Sequence, residues 1–119
     1  MYFKEDLFKD KLVVVSGGGS GIGKSIARAF LETGAKVIIA SRKQEKIEVA
    51  AKELKEFGEC TGYALNIRDY DGVLEFQKTV AENHGEVDIL INNAGGQFPS
   101  PASNISPKVP ISSILYPLG

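Results

Sequence analysis

Apolar residues along the first ninety positions fall in two alternating rhythms. Leu12, Val13, Val14 and Val15 form an unbroken run, three of them β-branched, as a strand buried on both faces requires. After a glycine-dense stretch, apolar residues return at helical spacing at Ile22, Ile26, Ala29 and Phe30, a pattern that ends near Thr33 and Gly34, with Gly34 as a left-handed cap. Residues 36–40 read as a second buried strand; Ile47, Ala50, Ala51, Leu54 and Phe57 mark one face of a second helix, which Gly58 terminates. Residues 61–65 form a weaker third strand, Val73, Phe76, Val80 and Ala81 a third helix ending near His84 and Gly85, and residues 87–91 a fourth strand.

The alternation is βαβαβαβ. Crossovers of this length join parallel neighbours with right-handed connections, so the pattern predicts an α/β fold, a doubly wound Rossmann-like parallel sheet of about four strands in the order 3-2-1-4. Ligands of such sheets bind beyond the carboxyl ends of the strands, where the order reverses, here between strands one and four.

The segment after the first strand sits at that edge. Its residues Ser16, Gly17, Gly18, Gly19, Ser20, Gly21, Ile22 and Gly23 form a turn in which Gly17, Gly21 and Gly23 are expected to take positive φ and to admit an anion without a Cβ in the way. Unpaired N–H groups and the positive end of the helix dipole point to a phosphate or pyrophosphate as guest. Glycine at i, i+4 and i+6 does not fit a G-x-G-x-x-G fingerprint. Asn92, Asn93, Ala94 and Gly95 follow the fourth strand and lie at the same edge, about 75 residues further on.

These two motifs resemble the T-G-x-x-x-G-x-G loop, with Ser16 in the threonine position, and the N-N-A-G segment of the short-chain dehydrogenases/reductases. The resemblance covers about residues 8–108 and corresponds to the N-terminal portion of that family. It implies cofactor contacts from Ser16, Gly17, Gly19, Ser20, Gly21, Ile22 and Gly23, and from Asn93, Ala94 and Gly95 beside the riboses. It also implies that Asn66 and Ile67, after the third strand, lie near the adenine.

Cofactor choice is read at the end of the second strand. NAD-binding relatives usually carry an acid there; this chain has Ser41, Arg42 and Lys43, with no acid before Glu45. Arg42 can grip a 2′-phosphate bidentately, helped by Ser41 and Lys43, which points to NADP(H); the alternative is that both cations are solvated charges opening a helix. A narrower likeness, carried by residues 95–101 and 65–68, is to the reductases of trans-2-enoyl-CoA and 2,4-dienoyl-CoA. It implies an acyl-CoA substrate, with Arg68 near phosphates and Gln97 and Phe98 facing the thioester; the plain alternatives are a surface arginine, a loop amide and a packing aromatic.

The family's proton donor is a tyrosine with lysine four residues on, preceded by a serine. Tyr2, Tyr63 and Tyr70 are followed four on by Asp6, Ile67 and Leu74, and Tyr116 has no residue at that distance. No catalytic residue is therefore assigned in this chain, and no metal ligand either: His84 stands alone near a helix end, and Cys60 reads as packing. The pattern stops at residue 108, and 109–119, with Pro110 and Pro117 opposing a helix, is expected to be an irregular tail of a shortened product. Shortening would leave Ile89, Leu90 and Ile91 as an exposed apolar edge strand prone to association.

Composition adds limits. Fourteen basic and fifteen acidic residues are interspersed, so neither nucleic acid nor an anionic membrane is indicated. One cysteine fits a reducing compartment, charged residues among the first eleven leave no room for a signal peptide, and no apolar run spans a membrane. A soluble cytoplasmic oxidoreductase, homo-oligomeric in its complete form, is the expectation; the alternative is a non-catalytic nucleotide-binding module or an inactive remnant.

Overall fold

The computed structural model describes residues 7–93. Within them the order is β1 (Leu12–Ser16), α1 (Gly21–Leu31), β2 (Lys36–Ser41), α2 (Gln44–Leu54), a 3₁₀ turn (Lys55–Phe57), β3 (Cys60–Ala64), α3 (Tyr70–Asn83) and β4 (Ile89–Asn92). The four strands are parallel, in the order β3-β2-β1-β4, as the crossover lengths predict. Residues 94–119, and with them Ala94, Gly95, Gln97, Phe98 and the expected irregular tail, lie outside the described residues. Among those described, no helix is long and apolar enough to cross a membrane.

Side chains of β1 alternate between two cores. Val13 and Val15 join Val37, Ile39 and Ile91 beneath α1 and α2, while Leu12 and Val14 join Ile38, Leu90 and the α3 residues Val73, Phe76 and Val80 on the opposite face. Helices on both faces thus explain the unbroken apolar run, because a strand covered on both sides has no polar face to show. Each such aliphatic side chain contributes about 1.5–3 kcal/mol by leaving water.

Helix α1 is rotated from the expected face. It buries Gly23, Ala27 and Leu31, whereas Ile22 is 68% exposed and Ile26 and Phe30 pack half-buried at the flank. A glycine lets the start of the helix lie close on the loop that follows β1: a Cβ on Gly23 would stand 2.1 Å from the Gly17 carbonyl oxygen. At this end of α1, size and not hydrophobicity selects the buried face. Gly34 does take a left-handed φ of +90° after α1, its N–H donating to the Leu31 carbonyl.

Smaller differences follow from the same packing. Strand β3 runs one residue earlier than expected, and Leu65 instead turns into the α3 core. Ala81 is exposed, so the buried stripe of α3 ends at Val80. Strand β4 lies at the sheet edge among the described residues, but its apolar side chains are not exposed: Leu90 and Ile91 are buried in the two cores, and Ile89 is half-buried.

Candidate functional site

The carboxyl ends of β1, β2 and β4 are stitched together by backbone bonds. Gly17 N–H donates to the Ala40 carbonyl at 2.6 Å and Asn93 N–H to the Ser16 carbonyl at 3.1 Å. The Ser16 hydroxyl, 1% exposed, donates to Asn92 Oδ1 at 2.8 Å, across 76 residues of chain. Asn93 Nδ2 donates to the Gly17 carbonyl at 3.5 Å and would lie 2.9 Å from a Cβ on Gly23. The glycine loop and the paired asparagines are therefore in direct contact, as the strand order predicts.

The glycines differ in what they permit. Gly17 alone among Gly17, Gly21 and Gly23 takes a positive φ, +72°; the other two begin α1 with helical backbone, contrary to the expectation for all three. Gly23 makes room for the Gly17 carbonyl, and Gly18, which the motif left unassigned, makes room for Ile39, whose Cγ2 would lie 2.5 Å from a Cβ there. Gly21 answers no such demand, since a Cβ on it would meet nothing within 4 Å. The Ser20 hydroxyl donates to the Gly17 carbonyl at 3.0 Å and makes no cap bond to the helix.

Beside this loop lies a cleft of about 430 Å³. Ser16, Gly17, Gly19 and Ser20 form one wall, and Ala40, Ser41, Arg42 and Lys43 a second. Asn66, Ile67 and Arg68 close it from β3 and Asn93 from β4. Eleven of the residues singled out from sequence thus meet in one place. Gly21 opens instead on a neighbouring groove between α1 and α2, which the Lys24–Glu53 ion pair bridges. Ile22 faces outward, and the side chain of Ile67 belongs to the α3 core. Asn66 Oδ1 accepts from Arg68 N–H at 3.0 Å, and Asp69 caps α3 by accepting from Gly72 N–H at 3.2 Å.

Charge in the cleft is one-sided. Arg42, Lys43, Arg68 and a cation that the motifs did not indicate, Lys46, line it, and none of the described lining residues is acidic. None of the four forms an ion pair with a described residue, whereas the α1 cations Lys24 and Arg28 pair with Glu53 and Glu32. Lys46 was legible only as the residue one helical turn beyond Lys43.

Two groups set aside as structural have structural partners. His84 Nε2 lies 2.8 Å from the Tyr63 hydroxyl, at the end of α3. Cys60 is buried beneath α2, and desolvation pushes its thiol up to about 11.

A family model described as short chain dehydrogenase matches residues 11–115, past the limit of residue 108 read from the sequence. The chain is 40% identical over 106 residues to a peroxisomal 2,4-dienoyl-CoA reductase of Danio rerio, covering 87% of this chain and 35% of that protein. It spans about a third of the length of such curated relatives. L-sorbose reductase from Gluconobacter frateurii, solved with NADPH and L-sorbose, superposes with a TM-score of 0.72 at 32% identity over 78% of this chain and 36% of that one. Pseudomonas aeruginosa RhlG, solved with NADP, gives a TM-score of 0.72 at 30% identity over 85% of this chain and 41% of its own. With the family model matched over residues 11–115, the chain belongs to the short chain dehydrogenase family.

Proposed function

We propose that residues 1–108 hold NADP(H) for an acyl-thioester reductase that reduces a carbon–carbon double bond of an enoyl-CoA or dienoyl-CoA. The observation that carries the cofactor half is that, among the described residues, the cleft holds four cations without an ion pair and no acid, at the strand end where an NAD site would use a carboxylate. The uncapped start of α1 beside the glycine loop suits a pyrophosphate. When bound, the nicotinamide supplies a hydride. This chain's own residues bind and orient: backbone N–H groups of the glycine loop take the pyrophosphate, Ser41, Arg42 and Lys43 the 2′-phosphate, Asn66 and Ile67 the adenine edge, and Asn93 the riboses. Ala94 and Gly95 are assigned to the riboses with Asn93 in this reading.

The substrate half is supported by the dienoyl-CoA reductases among the relatives and by the charge of Arg68, which favours a polyanionic CoA. Gln97 and Phe98 are assigned to the acyl thioester. Proton donation falls to residues other than these, since no tyrosine of the chain precedes a lysine by four.

Titration with NADPH and NADH, followed by nicotinamide fluorescence and thermal shift, tests the cofactor half. Saturable binding that is tighter for NADPH, and at least about tenfold weaker for it in Arg42→Ala, is expected, a loss of about 1.4 kcal/mol. Equal affinity for the two, or none for either, overturns it. In a longer protein carrying these residues, NADPH consumption with a dienoyl-CoA but not with a ketose supports the substrate half; the reverse preference removes it.

A further inference from the structure

Helix α1 carries more apolar surface than the core beneath it uses. At about 100° per residue, Gly23, Ala27 and Leu31 share its buried face, while Gly21, Lys24, Ser25 and Arg28 line the groove toward α2. Ile22, Ile26, Ala29 and Phe30 fall on the opposite flank, which holds no charged residue of the helix.

That flank looks toward the edge strand. Helix α1 lies over β1 and β2, and α2 over β2 and β3, so in the order β3-β2-β1-β4 the side of α1 away from α2 faces β4. Phe8 and Ile89 continue the surface: with Ile26 and Phe30 they pack half-buried against the core, and the Phe8 and Phe30 rings meet edge to face at 5.2 Å. Ile22, 68% exposed, is its open end. The exposed apolar residues of α2 and α3 stand instead among charges, Val49 between Glu45 and Glu53, and Leu74 beside Asp71, Glu75 and Lys78.

We propose that residues 109–119 of this chain cover the α1 flank and shut the α1 side of β4 from water. Chemistry and reach both favour them. Lys108 is the last charge in the sequence, and Val109, Ile111, Ile114, Leu115, Tyr116 and Leu118 follow it, so this segment gains by leaving water for a charge-free apolar surface. Strand β4 delivers the chain beside the flank: Asn93 stands at the first turn of α1, its Nδ2 bonded to the Gly17 carbonyl, at the end that Ile22 leaves open. Fifteen residues separate Asn93 from Val109, a reach of up to about 50 Å, and α1 is about 16 Å long.

The chain has no tryptophan, so one placed in the segment reports on it alone. Ile111→Trp and Tyr116→Trp chains of the full 119 residues are each compared, with and without Ile22→Asp, Leu74→Asp or Val49→Asp, by emission wavelength and acrylamide quenching. All three aspartates replace exposed side chains, and circular dichroism checks that each variant folds. At least one probe is expected to emit to the blue of the urea-unfolded chain, to resist quenching, and to do so equally across a dilution series. Ile22→Asp then shifts that emission to the red, because a carboxylate under the segment must be desolvated. Leu74→Asp and Val49→Asp leave it in place. Solvent-like emission from both probes in the folded chain overturns the inference, as does a blue-shifted emission that Ile22→Asp does not move. An equal red shift with Leu74→Asp or Val49→Asp overturns it by putting the segment elsewhere, and a blue shift that fades on dilution overturns it by making the occupant a second copy.

Discussion

The Ser16 hydroxyl and the Asn92 amide oxygen, 76 residues apart in sequence, form a 2.8 Å hydrogen bond inside the protein and join the two strands that flank the cleft. Ser16 is also paired in register with Asn92 through the sheet. Backbone register and side-chain bond thus fix the same two positions, and the loops that leave them, Gly17 onward and Asn93 onward, start from a rigid platform. Ser16→Ala removes a buried donor and is expected to cost about 1–2 kcal/mol, read as a fall in melting temperature of several degrees. A melting temperature within about one degree of the parent would show that the bond contributes nothing net.

Three glycines of one loop should respond differently to alanine. Gly18→Ala and Gly23→Ala drive a Cβ into Ile39 and into the Gly17 carbonyl oxygen, at 2.5 and 2.1 Å, so both are expected to destabilise by more than about 2 kcal/mol. Gly21→Ala meets open space and takes a helical conformation, so stability is expected to be unchanged or slightly higher. Nucleotide affinity is expected to stay within about twofold of the parent, because Gly21 opens on the groove between α1 and α2 and not into the cleft. Thermal melting and cofactor titration of the three variants separate the two effects. A Gly21→Ala protein that binds markedly more weakly than the parent would show that the ligand reaches past the cleft to the groove beside α1.

Long-range order was readable where one physical demand dominates. The run from Leu12 to Val15 can be satisfied only between two layers, and crossover length then dictates parallel neighbours; the meeting of Gly17 with Asn93 follows from topology alone. The phase of α1 was not readable in the same way. Hydrophobicity ranks Ile22 above Gly23, but the helix turns Gly23 and Ala27 inward, because Gly17 and Asn93 leave no room for a Cβ at Gly23. Gly18 and Lys46 were missed for a related reason. The role of each depends on a neighbour distant in sequence, Ile39 for the first and the cleft wall for the second, and neither neighbour leaves a local signature.

Tyr63 and His84 hold the far end of α3 to the sheet. The hydroxyl lies 2.8 Å from His84 Nε2, the two rings meet edge to face at 5.9 Å, and Phe76 stacks edgewise on Tyr63 at 5.7 Å. Tyr63→Phe keeps both ring contacts and loses only the hydrogen bond, so a cost of about 0.5–1.5 kcal/mol is expected in urea denaturation. Neither residue lines the cleft, and cofactor affinity should not change. A variant that loses affinity while retaining its stability would assign the pair a part in the site.

Cys60 connects burial to pH. Cys60, at the start of β3 beneath α2, is 2% exposed, and desolvation raises its thiol from 9.0 to about 11, with Lys55 opposing the shift. Folding therefore favours the protonated thiol. Below pH 9 both folded and unfolded chains carry the proton, and this group leaves stability independent of pH. Between pH 9 and about 11 the unfolded chain releases the proton first, so stability falls, at a limiting slope of about 1.4 kcal/mol per pH unit. Denaturation midpoints measured across that interval should decline more steeply in the parent than in Cys60→Ala, which has no thiol to titrate. The same burial keeps the thiolate scarce at pH 8, so a disulfide reagent should label the native chain slowly and the urea-unfolded chain at the rate of a free thiol. Rapid labelling of the native protein, or parallel pH profiles for parent and variant, would mean that the thiol reaches solvent and that the α2 layer opens over it.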